Sequence, residues 1–381
     1  MAVAEVPPGM RPAVTTPLAL RALMLAVAPA GASRMVAVGE RGIVLVSDDA
    51  GRQWRQAKVP VSVTLTSVQF VDARQGWAAG HSGVVLHTGD GGNTWTRQLD
   101  GVSVAHLALE EAEAMVTSQA SMPETGQSKG VGSVGRSDSA VFPKPSSQVA
   151  LQNARRLVSE GADKPFLSLS FSDAQHGTAV GAYGIAVHTD DGGRTWQSWT
   201  ARIGNQRALH LYAIRQRGNS IWVAGEQGFV AHSADYGHRF RADLTPYKGS
   251  FFSVGIGQDD VVVLGGLRGQ AVRTEDGGAT FIAFKPGGEA AITDIVYTSG
   301  GTWVLAAQNG QVLASRNATG TFQPLISRPK FPLNGIALTQ SGAVLGAGFT
   351  GVLSVAHLQH DADMQIAPTT QGKTEMAGGR P

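Results

Sequence analysis

The sequence predicts an all-β protein, a seven-bladed β-propeller of four-stranded antiparallel blades. Three observations carry this. A box of the form Ser/Thr-x-Asp-x-Gly-x-Thr-Trp recurs, cleanest at 88–95 (TGDGGNTW) and 189–196 (TDDGGRTW). Relatives stand at 47–54, 233–240 and 274–281, and a degenerate copy at 315–322. The closing aromatics are Trp54, Trp95, Trp196, Phe240, Phe281 and Phe322, and four of their five intervals are 41 or 44 residues. Between the boxes lie short apolar runs framed by glycine, and a period near forty built from short strands is one propeller blade per repeat. The composition agrees: 49 Gly, 42% hydrophobic and 16% charged residues describe a turn-rich globular chain.

The first unit begins in 18–30 (LALRALMLAVAPA). With Arg11 upstream and Gly31-Ala32-Ser33 after it, this stretch has the outline of a signal peptide. Arg21 interrupts it, however, and it aligns with the inner strand of the later repeats, so it reads as the first blade's inner strand. The second unit shows the full plan, with strands at 66–72, 77–80, 84–88 and 94–99. The plan restarts at Leu167, Leu211, Phe252, Ile292 and Leu333, giving seven blades. The last lacks a box. Its third strand is placed at 352–357, and its outer strand either at 364–367 or in the segment before Leu18. A single propeller is thus expected over 18–367, with a loose tail over 368–381.

The box has a mechanical reading. Gly51, Gly92, Gly193, Gly237 and Gly278 supply the left-handed conformation of a tight turn. Asp49, Asp90, Asp191, Asp235 and Asp276 accept backbone N–H bonds in Asx-type turns. The aromatic, Trp54, Trp95, Trp196, Phe240 or Phe281, packs between neighbouring blades. The acidic pairs Asp48–Asp49 and Asp190–Asp191 invite a calcium site, but the loops lack the alternating oxygen ligands and terminal bidentate Glu of an EF-hand. No metal or other cofactor is expected. His188 and His232 fall in register with His87, a structural habit of the third strand.

The long interval carries an insertion over 100–165. It opens with a helix-prone segment at 107–115 (LALEEAEAM), continues through a Ser/Gly/Pro-rich stretch at 117–147 expected to be disordered, and ends in a second helix at 149–160 closed by Gly161. Leu151, Ala154 and Val158 share one face of that helix.

Each repeat also carries a Gly-x-x-Gly turn between its second and third strands, with Ala307 replacing the first glycine of the sixth. These turns are expected around one mouth of the channel, opposite the boxes. The residues they present vary: Arg41, His81, Tyr183, Gln227, Arg268, Asn309 and Phe349 are the candidate binding residues. A constant frame presenting variable tips is how a scaffold displays a recognition surface.

Net charge of +2 without Lys/Arg runs argues against nucleic acid. The absence of cysteine excludes disulfides and thiolate chemistry. No stretch approaches the ~20 apolar residues of a membrane span. The chain is expected as a monomer.

The unit LTSVQFVDARQGWAAGHSGVVLHTGDGGNTW resembles the bacterial BNR/Asp-box propellers similar to the photosystem II stability/assembly factors, as does the end of the insertion (ARRLVSEGADKPF). The resemblance spans about 18–357. It implies a non-catalytic assembly or accessory factor for a membrane-protein partner, an RND-type exporter in heterotrophic bacteria, and a periplasmic or membrane-associated location. A sialidase-like glycosidase shares fold and box, as would a glycan- or small-ligand-binding propeller. Glycosidase chemistry needs an arginine clamp, a Tyr nucleophile with Glu, and an acid/base Asp. Tyr183, Glu226 and Arg268 can be drawn as such a site, and Asp294 is the one inner-strand acid. No catalytic residue is assigned.

Overall fold

The computed structural model describes residues 6–120, 146–243, 245–318, 322–325 and 331–358. Seven antiparallel sheets stand in a ring, and their inner strands are Met24–Pro29, Leu65–Phe70, Phe166–Phe171, Leu211–Arg217, Phe251–Ile256, Ile292–Tyr297 and Leu333–Leu338. Each inner strand packs on the next, and the first packs on the seventh, closing the ring. Strand order within every sheet follows chain order from the channel outward. The first blade's inner strand lies within the stretch that has the outline of a signal peptide.

Apolar cores fill the spaces between adjacent blades. Trp77 stacks on Phe171 of the following blade at 3.8 Å, and Trp95 is buried with Val36, Val44 and Val46 of the preceding one. Inner strands are also stitched by polar side chains that reach forward by one blade. Ser168 and Ser170 accept the N–H groups of Ile214 and Gln216 at 3.2 and 3.0 Å. Gln69 both donates to and accepts from the backbone of Phe171 at 2.9 and 2.8 Å. Asp294 accepts from the Ile336 N–H at 2.9 Å, and the Asn334 amide donates to the Met24 carbonyl at 2.9 Å, across the closure. Such bonds satisfy inner-strand backbone that no neighbouring strand reaches.

Six blades have four strands. The seventh has three among the described residues, Leu333–Leu338, Ala343–Gly348 and Gly351–His357. Among the described residues, the N-terminal segment from Val6 does not supply its outer strand. It crosses the outside of the ring instead: the Pro8 carbonyl accepts from Ser62 N–H at 2.8 Å, and Ala13 N–H donates to Val59 at 3.1 Å. Thr16 N–H reaches Gln56 at 3.0 Å, and the 3-10 turn Pro17–Arg21 then packs on Gly351–His357. The alternative outer strand at 364–367 and the tail at 368–381 lie outside the described residues.

The insertion forms an antiparallel helix pair, α1 (Gly101–Ala120) and α2 (Ser147–Glu160). α1 is longer than the helix-prone segment in the sequence, and residues 117–120, expected to be disordered, form its last turn. Ser146 caps α2 by accepting the Val149 N–H, and Gly161, at φ 84°, terminates it. Leu151, Ala154 and Leu157 are its buried apolar residues, while Val158 is only partly covered. Residues 121–145 lie outside the described residues.

Candidate functional site

The two ends of the ring are built by different hairpins. At one end stand the boxes. In the third, the Thr189 hydroxyl donates to Asp191 at 2.9 Å and accepts the Gly193 N–H at 2.8 Å, while Thr195 donates to Asp191 through its N–H (2.9 Å) and hydroxyl (2.7 Å). Asp90 and Asp276 repeat the arrangement in full, while Asp49 and Asp235 repeat it without the second hydroxyl, since Gln53 and Arg239 stand where Thr195 does. The bonds from Thr195 and Thr280 hold the carboxyls of Asp191 and Asp276 down at about 2. Each box glycine abuts the preceding blade: a Cβ on Gly237 would lie 2.2 Å from Trp199, and one on Gly278 would lie 2.9 Å from Trp222. The aromatics follow, with Phe240 and Phe281 set edge-on to those same tryptophans at 5.8 and 6.3 Å. Trp54 and Trp95 donate their indole N–H to Gly51 and Gly92 at 3.0 Å. Trp196 packs edge-on against Phe171 at 6.3 Å. The registered histidines belong to this packing: His87, His188 and His232 lie against Trp77, Trp199 and Trp222 at 5.0, 3.8 and 4.5 Å.

At the other end stand the Gly-x-x-Gly turns. In blade two the His81 N–H donates to the Thr64 carbonyl, just before the inner strand, at 2.8 Å. A Cβ on Gly80 would lie 2.2 Å from that oxygen, and one on Gly83 would lie 2.5 Å from Gly101, the first residue of α1. The two glycines are therefore fixed by close backbone approach on either side, and the pattern repeats at Gly39, Gly42, Gly181, Gly225, Gly228 and Gly269.

Between these glycines, five turns place a side-chain-bearing residue in the left-handed region: Arg41 (φ 53°), Ser82 (57°), Tyr183 (56°), Gln227 (54°) and Arg268 (57°). The closing glycine has a positive φ in all seven turns, and in the sixth and seventh Gly310 and Gly351 are the only turn residues that do. All seven candidate residues, Arg41, His81, Tyr183, Gln227, Arg268, Asn309 and Phe349, are exposed, Tyr183 by 43% and Phe349 by 59%. The insertion leaves the ring at this end too, with α1 packed on the His81–Gly83 turn.

The structure adds residues that turn spacing does not disclose. Tyr183 donates its N–H to His210 Nδ1 at 2.8 Å and meets that ring edge-on at 4.9 Å, with the Lys164 ammonium 4.9 Å over its face. The series continues from His210 to Tyr212 (6.2 Å) and from Tyr212 to Phe252 (5.1 Å), an aromatic arc from blade three to blade five. Arg207 donates to the Gln227 side chain. Tyr212 and Phe252 each occupy the second position of an inner strand, which is the signal that could have found them.

The residues of the drawn glycosidase site have other employment. Glu226 accepts the His210 N–H at 2.8 Å, as Glu40 accepts the Leu23 N–H at 3.0 Å, so both carboxylates cap the start of an inner strand. Asp294 takes the Ile295 and Ile336 N–H groups and lies 3.5 Å from Arg215, an ion pair that links blades four and six past blade five. No group of three or more potential metal ligands occurs among the described residues.

The family model described as Photosynthesis system II assembly factor YCF48 matches residues 12–129 and 148–315, most of the chain. The chain is similar to the Photosystem II assembly lipoprotein Ycf48 of Synechococcus sp. (strain CC9902), 27% identical over 152 residues. That alignment covers 39% of this chain and 45% of the relative, so it spans less than half of the curated relative's length. Among solved structures, YCF48 bound to D1 peptide superposes with a TM-score of 0.60 at 15% identity, covering 91% of this chain and 96% of that one. YCF48 from Cyanidioschyzon merolae gives 0.57 at 15%, covering 90% and 98%. The WD40 propeller of Doa1 gives 0.56 at 12%, covering 90% and 94%. At these identities the structural likeness establishes the fold.

Proposed function

This chain belongs to the Photosynthesis system II assembly factor YCF48 family, and we propose that it acts as a non-catalytic assembly or stability factor that binds a protein partner on its Gly-x-x-Gly face. The observation that carries the reading is the set of five left-handed turn residues. A non-glycine residue held there costs on the order of 1–3 kcal/mol, and glycine would occupy the position without strain. Arg41, Tyr183, Gln227 and Arg268 stand in that conformation with exposed side chains that no core packing requires. Arg and Tyr are also the residues that most often anchor protein interfaces.

One structural neighbour in the family fold is YCF48 with a D1 peptide bound, which supports a polypeptide ligand for this chain. A membrane protein as its source is the expectation from the resemblance. The exporter named by that resemblance gains no support and is not carried further.

The test is affinity capture from cross-linked native cells, comparing the wild type with an Arg41→Ala/Tyr183→Ala/Arg268→Ala variant that retains its thermal transition. A membrane protein enriched by the wild type and lost in the variant is the expected result. Equal capture by both would move the interface off this ring. Turnover of a sialoside by the wild type, lost with Tyr183→Phe, would replace the reading with an enzymatic one.

A further inference from the structure

The helix pair does not close completely on blade three. Between α1, α2 and the turn at Tyr183 lies a cleft of about 70 Å³. The methyls of Ala108, Ala112, Ala150, Ala154 and Ala201 line it beside the polar side chains of Asn153, Thr200 and Asn205 and the guanidinium of Arg156, and Glu111 sits within it. Tyr183 forms part of the rim, so the cleft is continuous with the proposed binding face.

Glu111 is anchored by hydrogen bonds, and burial pushes its carboxyl above the usual carboxylate range. Its Oε2 accepts the Ser198 hydroxyl at 2.6 Å and the Ala201 N–H at 3.2 Å. It makes no ion pair among the described residues; Arg202, the cation that acts on it, lies over the Trp199 ring at 5.2 Å. The other carboxylate of the lining, Glu160, is already matched by Arg156 at 2.5 Å and Lys164 at 2.8 Å. A carboxylate without an ion pair beside a row of alanine methyls is complemented by a cation that arrives with its own apolar stem.

We propose that this cleft receives a lysine side chain of the protein partner, its ammonium at Glu111 Oε1 and its methylenes against the alanine walls. The assignment rests on the protein-partner reading, but its test does not need the partner. The chain labelled with ¹³C at alanine methyls is titrated with Nα-acetyl-lysine N-methylamide and, separately, with the norleucine analogue, which keeps the stem and lacks the charge. Saturable shifts at Ala108, Ala112, Ala150, Ala154 and Ala201 with the lysine probe alone are expected. Glu111→Gln, which keeps an acceptor for Ser198 and Ala201, should weaken binding at least tenfold. Ala150→Leu, which fills the space and leaves Glu111 in place, should abolish it.

Equal response to the norleucine probe would make the cleft a non-polar pocket. An undiminished response in Glu111→Gln, or no saturable shift at all, would overturn the assignment. Saturation by the lysine probe in a chain that captures no partner would sink the proposed function and leave the cleft standing. The reverse outcome would do the opposite.

Discussion

The box end and the Gly-x-x-Gly end of this propeller use the same backbone device to opposite purposes. Both need residues in the left-handed region. Three of the five boxes place glycine at the first such position, Gly91, Gly192 and Gly277, whereas Ala50 and Tyr236 fill it in the others. The five comparable ring turns never place glycine at the tip. At the box end the carboxylate faces inward and its acceptor sites are filled by its own hairpin. At the ring end the backbone is satisfied internally and the side chains are released to solvent. Where sequence repeats, the residues hold the blade; where it varies inside a fixed frame, they face outward.

Three measurements would break or sharpen this contrast. The largest effect is expected for Gly181→Ala, whose Cβ would stand 2.1 Å from the Pro165 carbonyl oxygen in backbone that cannot yield. A loss of about 3 kcal/mol in urea unfolding is expected, and a change within 0.5 kcal/mol, about the scatter of neutral surface sites, would remove the steric basis of the frame.

Next comes Asp191→Ala, which should lower the thermal midpoint by several degrees, equally with and without calcium. A calcium-dependent difference would restore the metal reading. The same carboxyl carries a pH signature. Its folded pKa of about 2 lies below the unfolded value near 3.9, so its contribution is present above pH 4 and is lost as pH falls toward 2. The acid limb of the stability curve should therefore be shallower in the variant.

The smallest effect has the opposite sign. Arg268→Gly should raise stability by about 1 kcal/mol by relieving the φ of 57°. A neutral or destabilising result would mean that the tip is held for structural reasons.

Much of this was legible in the sequence because the repeat encodes backbone geometry. The box glycines, Asp191 and Trp196, and the Gly-x-x-Gly frame each specify a local conformation, and their recurrence along the chain averages out the noise. The N-terminal segment was not legible, since its bonds to Ser62, Val59 and Gln56 are irregular and leave no periodicity. Glu111 was equally hidden. Helix α1 offers Glu110, Glu111 and Glu113 in close succession, and only the approach of Ser198, 87 residues away, distinguishes one from the others. The channel-crossing pair Arg215 and Asp294 likewise joins blades that are not adjacent.

The helix pair also matters through symmetry. A ring of seven similar turns offers a ligand seven nearly equivalent angular placements, a degeneracy worth RT ln 7, about 1 kcal/mol, against any single one. Seated over blades two and three only, α1 and α2 mark a position on the dial. A partner that touches both them and the ring has one orientation, and its long axis is fixed relative to the channel.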